Sequence, residues 1–171
     1  MKRCCHLASL AAFLFLLAGC AGYRLGPVNH ETAGARSIQI DPFVNKTLQP
    51  RLSDYVNNSL RKNLQQDGTY RLDSHEHGDI VVTGVITAVT PVPMSVQPSD
   101  VLTPLDYLIT MSAQVTARER ATDKVVFDGV VTGRTRLRAG QDLTSAERQA
   151  MPLLADDFAR NATRSLTEGT W

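Results

Sequence analysis

The stretch from Leu105 to Ala117 limits the possible folds more than any other, because apolar and polar residues alternate along almost all of it. An alternation with a period of two places one set of side chains on each face of a β-strand, and the apolar face is buried. Residues Ala121–Lys124 have the composition of a turn, and Val125–Leu137 is again typical of a strand. These patterns predict an antiparallel β-hairpin.

Three further segments upstream are strand-like. Ser37–Phe43 alternates around two isoleucines and ends at a proline, and Asp79–Thr90 is rich in β-branched residues on both faces. Tyr70–Leu72 is a shorter candidate. An apolar pattern on both faces is typical of an interior strand that is covered on one side by helices and on the other by a partner.

Two amphipathic helices are predicted from apolar residues that recur every three or four positions. The first follows capping groups and a proline at Asn45–Pro50 and ends at Gly68, where glycine can adopt the left-handed conformation of a helix end. Its predicted inner face contains Leu48, Leu52, Tyr55, Val56, Ser59, Leu60 and Leu64.

The second helix begins at Thr144–Glu147, where a threonine and a glutamate three residues apart form a capping box. Pro152 either kinks this helix or marks a second start. Its predicted inner face contains Met151, Leu154, Ala155, Phe158, Ala162 and Leu166. Four prolines between Pro91 and Pro104 predict a long loop, and loops of that length in compact domains are often functional.

The order of these segments predicts an α+β fold. Two helices pack on one face of a mostly antiparallel sheet of four strands, or five. The predicted domain spans residues 36–171 and is preceded by a glycine-containing tether at 20–35. An alternative for part of the tether is a first edge strand at Tyr23–Leu25.

The N-terminus has the pattern of a targeting signal. Met1-Lys2-Arg3 precedes an apolar run from Leu7 to Ala18, which is too short for a transmembrane helix. The run ends in Leu17-Ala18-Gly19-Cys20, which resembles the lipobox of bacterial lipoproteins. The resemblance implies that residues 1–19 are a signal peptide and that Cys20 is lipidated. Several acyl chains on Cys20 would hold the protein stably to a membrane. Ala21 at the next position points to the outer membrane, on its periplasmic side.

Composition and motifs exclude several classes of function. The chain has 18 basic and 17 acidic residues, so no global charge selects nucleic acid. Cys4 and Cys5 leave with the signal, and the remaining Cys20 makes neither an internal disulfide nor a cysteine-based metal site. No catalytic triad, zinc helix or phosphate loop is found, so we expect no enzyme activity and no cofactor. His75 and His77 lack further ligands for a metal.

Several segments together resemble the LptE family of lipopolysaccharide-assembly lipoproteins. They are the lipobox with Gly22–Leu25, Ile38–Ile40, Phe43–Thr47, Tyr70–Leu72, the strand from Asp79, Asp106-Tyr107, Ala146–Arg148 and Glu168–Trp171. The resemblance implies a non-catalytic outer-membrane lipoprotein that acts as a plug inside an LptD-type β-barrel, helps the barrel to fold and binds lipopolysaccharide. A rival of another class is an envelope lipoprotein of the CsgG, PelC or LpoB type, which forms secretion rings or activates peptidoglycan synthases.

Lipopolysaccharide carries phosphates, so a binding protein should present arginines from a rigid element. Arg134, Arg136 and Arg138 are spaced by two and should share one face of a strand. Arg118 and Arg120 form a second candidate pair near the hairpin turn. We expect the first three, together with the Pro91–Pro104 segment at the opposite end of the hairpin, to face the glycolipid or the barrel. The alternative is that these arginines only keep a strand end soluble.

Overall fold

The computed structural model describes residues 34–97, 100–138 and 143–168. The predicted signal peptide, Cys20 and the tether up to residue 33 lie outside these residues. The described part of the chain contains, in order, β1 (Ser37–Ile40), β2 (Val44–Asn45), α1 (Leu52–Asp67), β3 (Arg71–Leu72), β4 (Ile80–Gln97), β5 (Asp100–Glu119), β6 (Val125–Arg138) and α2 (Leu143–Glu168).

All six strands belong to one open sheet with the order β3-β1-β4-β5-β6, and β2 pairs with β4 next to β1. β4, β5 and β6 form an antiparallel meander, and the predicted hairpin of β5 with β6 is confirmed from Asp106 opposite Arg138 to Arg118 opposite Val125. Both helices cover the same face of this sheet, and that part of the prediction is also confirmed.

The sheet differs from the prediction in its size and strand direction. It has six strands rather than four or five, and three of its pairings are parallel: β1 with β3, β1 with β4, and β2 with β4. The reason is topological, because the chain leaves β1 and β2 at one end of the sheet and returns through α1 before it enters β4. Such a crossover makes the strands on either side of the helix parallel. The sheet is therefore mixed.

The predicted loop at Pro91–Pro104 is wrong. β4 continues to Gln97 and β5 starts at Asp100, so this segment forms the end of the β4–β5 ribbon. Its pairing is interrupted by register shifts, including one at Met94, between Pro93 and Ser95. The ribbon extends past the last residue of β6, which is paired with Asp106.

The positions of two prolines explain how they fit into a strand. The carbonyl of Ile86 accepts a hydrogen bond from the N–H of Lys46, the residue that follows β2, so even-numbered residues in this part of β4 point their backbone groups away from β5. A one-residue register shift at Thr87 reverses this order, so that beyond it the odd-numbered residues of β4 point their backbone groups away from β5. Pro91 and Pro93 therefore turn their nitrogen atoms to the free edge of β4, where a missing N–H breaks no ladder bond.

The two helices differ in how well the sequence predicted them. α1 begins at Leu52, with Arg51 before it in a left-handed conformation (φ 60°), and ends at Gly68 (φ 74°) as predicted. Leu48 lies outside this helix and is fully exposed, so its predicted place on the inner face is wrong. The Asn45–Pro50 segment forms its own hydrogen-bonded turn instead of a helix cap. α2 is one helix that includes Pro152.

Two glycines allow the layers to approach closely. A Cβ on Gly84 would lie 2.1 Å from the ring of Phe43, which packs on β4 at this point. The Phe43 ring also meets Phe158 of α2 edge to face, at a centroid distance of 6.0 Å. A Cβ on Gly133 would lie 2.7 Å from the backbone nitrogen of Phe158. Both aromatic rings are buried and join the two halves of the core.

Candidate functional site

The three arginines of β6 form a row on the face of the sheet that the helices leave open. Residues of β6 at odd positions, such as Val131 and Leu137, are buried beneath the helices, so the even positions point to the opposite face. Arg134, Arg136 and Arg138 are all exposed. Two-residue spacing along a strand separates successive side chains by about 7 Å. We call these three residues the arginine row.

The backbone of β6 at the start of the arginine row is hydrogen-bonded to α2. The Arg134 N–H donates to the carboxylate of Asp157 at 2.8 Å, and the Asn161 amide donates to the Thr132 carbonyl at 2.8 Å. These backbone groups lie on the outer edge of β6. In the part of the chain that the structure describes, no carboxylate forms an ion pair with the three guanidinium groups. The first residue of the row is therefore fixed to α2, and the three guanidinium groups are available to a ligand.

A shallow depression lies at the far end of the arginine row. It has a volume of about 400 Å³ and is lined by Met94, Ser95, Asp106, Arg136, Leu137 and Arg138. The Ser95 hydroxyl donates to the Asp106 carboxylate at 2.7 Å, and Asp106 stands opposite Arg138 in the strand register. Apolar, acidic and basic groups therefore meet where the ribbon leaves the rest of the sheet.

The sequence indicated Met94 and Ser95 only as part of the Pro91–Pro104 segment, and it did not indicate Asp106 as a member of this site. Their place depends on the register of β4 against β5, which shifts between Pro93 and Ser95 and again after it. A regular two-residue alternation does not reveal such shifts. The only signal in the sequence was the unusual density of prolines, which was interpreted as a long loop that faces the ligand or the barrel.

The second pair, Arg118 and Arg120, lies at the opposite end of the sheet and does not form a row. Arg118 pairs with Asp123 of the β5–β6 turn at 3.6 Å. The Arg120 guanidinium donates to the Gly78 carbonyl at 2.9 Å and to the Gln39 side chain. These contacts connect the turn to neighbouring parts of the domain, so both guanidinium groups already have partners in the structure.

The described chain begins at this same end of the sheet. Ser37, the first residue of β1, donates its backbone N–H (2.8 Å) and its hydroxyl (2.7 Å) to the Asp79 carboxylate, and the Asp79 N–H donates back to the hydroxyl. These bonds, the backbone one first, hold the pKa of Asp79 below its usual value. Arg36 forms an ion pair with Glu119 close by. The segment that precedes the domain therefore enters at the end remote from the arginine row.

Between these two ends, the open face of the sheet is polar but carries little charge. Its side chains are mostly threonine, serine, glutamine and valine. The one carboxylate in its centre, Asp128, accepts hydrogen bonds from Gln114 and, at 3.2 Å, from Thr116. Val130 is 67% exposed on this face. The face offers neutral hydrogen-bonding groups over most of its length and cations at one end.

Metal sites and membrane-spanning helices are absent from the described residues. Within residues 34–97, 100–138 and 143–168, no three His, Cys, Asp or Glu side chains are close enough to hold a metal ion. His75 and His77 lie on an exposed turn. No helix in the same ranges has the length and apolar character needed to cross a membrane.

Similar folds occur among solved structures. A protein of Xanthomonas campestris superposes with a TM-score of 0.60 at 10% identity, covering 85% of this chain and 91% of the other. A hypothetical protein of Chlamydia trachomatis gives a TM-score of 0.57 at 12% identity, covering 78% and 97%. A minor lipoprotein of Acinetobacter baumannii gives 0.52 at 14% identity, covering 78% and 93%. At these identities, the likeness shows a shared fold.

The family assignment comes from the sequence itself. No curated protein matches the chain. The model of the family described as "LptE: Lipopolysaccharide-assembly" matches residues 35–166, which include every strand and almost all of both helices. This match covers most of the chain and agrees with the resemblance found in the separate motifs. The chain belongs to the LptE family of lipopolysaccharide-assembly proteins.

Proposed function

We propose that this protein is an outer-membrane lipoprotein, anchored through lipids on Cys20, that sits inside an LptD-type barrel and binds lipopolysaccharide through its arginine row. In this proposal it acts as a plug, assists the folding of the barrel and catalyses no reaction. The observation that carries the proposal is the arginine row, whose guanidinium groups are exposed and form no ion pair among the described residues, and whose first residue, Arg134, is bonded to α2 through its backbone.

The chemistry of the row supports an anionic ligand. A guanidinium group can donate two parallel hydrogen bonds to a phosphate, and such charge-assisted bonds are about twice as strong as neutral ones. Arg136 and Arg138 also border the depression that contains Met94. A ligand that has both phosphates and acyl chains would place charge against the arginines and apolar surface against the methionine.

The open face supports a partner with a polar interior. Barrels of the outer membrane have interiors lined by polar side chains. The open face carries uncharged hydroxyl and amide groups, such as the hydroxyl groups of Thr83 and Thr116. These groups can form hydrogen bonds with a polar barrel wall without burying unpaired charge. A buried unpaired charge would make docking unfavourable, and the single carboxylate at the centre of this face already has two donors.

The geometry supports one orientation of the domain in this proposal. The chain enters near Ser37, and the arginine row lies at the other end of the sheet, opposite Ser95 of β4. The path from Ile80 to Ser95 along β4 is about 50 Å. A lipid anchor at Cys20 would therefore hold one end near the membrane surface and direct the arginine row away from the anchor.

The proposal is tested by replacing all three residues of the arginine row with serine in the lipidated protein. We expect lipopolysaccharide affinity to fall at least about tenfold at low salt, because charge-assisted hydrogen bonds contribute about 1.5–3 kcal/mol each. A control in which Arg71, Arg148 and Arg164 become serine removes the same charge elsewhere and should bind normally. Unchanged affinity of the first variant would refute the role of the row.

The partner is tested separately by purification from detergent-solubilised membranes. We expect a partner whose electrophoretic mobility changes on heating, as that of a folded outer-membrane barrel does. A ring of identical chains, or co-purification of a peptidoglycan synthase, would instead support the CsgG, PelC or LpoB type of function.

A further inference from the structure

A second exposed feature lies far along the chain from the arginine row, in the turn between β2 and α1. Leu48 is 101% exposed, and Val44, the first residue of β2, is 54% exposed. Single exposed leucines are common on protein surfaces and by themselves indicate nothing. Leu48 differs because the backbone that carries it is held by side-chain hydrogen bonds on both sides.

Asn45 and Thr47 build this turn. The Asn45 carboxamide oxygen accepts hydrogen bonds from the Thr47 N–H at 2.9 Å and the Thr47 hydroxyl at 2.7 Å. The Asn45 amide nitrogen donates to the Gln49 carbonyl at 2.8 Å, across Leu48. The Lys46 N–H is bonded to β4 through the Ile86 carbonyl at 3.0 Å. The turn is therefore fixed to the sheet, and the position of Leu48 is set before any partner arrives.

The charged residues nearest to Leu48 in the sequence are basic. Lys46 and Arg51 flank it, both are exposed, and no ion pair within the described residues involves either of them. The nearest acidic residue that follows in the sequence is Asp54, on α1. An exposed aliphatic side chain on a fixed backbone, with a basic residue on either side of it in the sequence, is complementary to an apolar pocket bordered by carboxylates.

We propose that Leu48, Lys46 and Arg51 form a docking knob that inserts into such an acid-bordered apolar pocket on the barrel partner. This inference rests on the proposed function for the existence of that partner, but not on the ligand of the arginine row. A pre-formed turn loses little conformational freedom on binding, so most of the gain from burying Leu48 is available to affinity.

The test compares Leu48→Ser with Leu153→Ser in the full lipidated protein. Leu153 is the matched control because it is an exposed leucine, at 61%, on α2. Both variants should melt like the wild type. We expect Leu48→Ser to weaken barrel binding by roughly 10- to 100-fold, the range for losing a buried leucine side chain, and Leu153→Ser to leave it unchanged. The charge reversal Lys46→Glu with Arg51→Glu should weaken binding more at low salt than at high salt.

The possible outcomes separate this inference from the proposed function. Barrel binding by wild type and equally by Leu48→Ser would overturn the knob and leave the proposed function intact. A wild-type protein that binds no barrel would overturn both. A photo-cross-linker at position 48 should join the domain to the barrel, and cross-links to lipid alone would also overturn the knob.

Discussion

Gly133 shows how one residue determines the spacing of two layers. Its hydrogen occupies the place where a Cβ would lie 2.6 Å from the Phe158 Cβ and 2.8 Å from the Leu154 carbonyl. Because backbone atoms of α2 supply two of the three closest contacts, the helix would have to move. We expect Gly133→Ala to lower the free energy of unfolding by about 1–3 kcal/mol, as overpacked cores do, measured by urea denaturation.

The control for this prediction lies four residues earlier on the same strand. A Cβ on Gly129 would meet only the ring of Phe127, at 3.2 Å, and a ring can turn aside. Gly129→Ala should therefore change stability much less than Gly133→Ala. Equal losses would mean that the effect comes from glycine in a strand and not from the contact with α2.

Asp79 gives a prediction on pH. Hydrogen bonds from the Ser37 N–H and then from its hydroxyl lower the pKa of this carboxyl in the folded state. A lowered folded pKa adds stability above the unfolded pKa, and that stability is lost as the pH falls through the folded pKa. We expect the stability advantage of the wild type over Asp79→Asn to shrink as the pH falls from 5 to 2, in denaturant titrations. A constant difference would exclude the linkage.

At the scale of the elements, α2 protects the outer edge of the sheet. Asp157 and Asn161, one helical turn apart, bond to the N–H of Arg134 and the carbonyl of Thr132. An unprotected edge strand offers a template for pairing with a second chain. The double change Asp157→Ala with Asn161→Ala should cost about 2–4 kcal/mol of stability, the sum of one charge-assisted and one neutral hydrogen bond, and produce dimers or larger species in sedimentation velocity. A monomer at all concentrations would refute this role.

A sequence pattern predicts which face of a helix or strand is buried, but it does not predict the direction of a strand. The alternation of Leu105–Ala117 and the spacing of Leu52 and Leu64 predicted β5 and α1, because both patterns arise from burial on one face. Strand direction leaves no such trace, so the parallel pairing of β1 with β4 was missed. Pro91 and Pro93 were interpreted as parts of a loop. A strand can contain a proline when the proline nitrogen faces a free edge, and the sequence does not show which edge is free.

The candidate site was likewise predicted only in part. The arginine row was predicted with its shared face and its distance from the β5–β6 turn, since both follow from spacing and a hairpin. The partners of Arg120 and the depression at Asp106 depend on contacts between segments far apart in sequence. The turn that exposes Leu48 was missed because Asn45 and Thr47 are equally common as helix caps.

At the scale of the whole molecule, the two ends of the sheet have different roles in the proposed complex. Thr122 lies on the β5–β6 turn, near the point where the chain enters. Thr90 of β4 is opposite Thr110 of β5, which is in turn opposite Arg134 of β6. Both threonines are exposed in the isolated domain. Since Cys20 would be acylated and Cys4 and Cys5 removed, a cysteine placed at either position would be the single free thiol.

We therefore expect Thr90→Cys and Thr122→Cys to react alike with a bulky polar maleimide in the free protein. In the barrel complex, Thr122→Cys should stay reactive and Thr90→Cys should react at least about tenfold more slowly, because the open face would then lie against the barrel wall. If Thr122→Cys were protected and Thr90→Cys stayed reactive, the orientation inferred from the entry point of the chain would be the wrong way round. Equal reactivity in the complex would mean that the open face is not the docking face, since a sheet packed against another surface excludes reagents from the side chains between them.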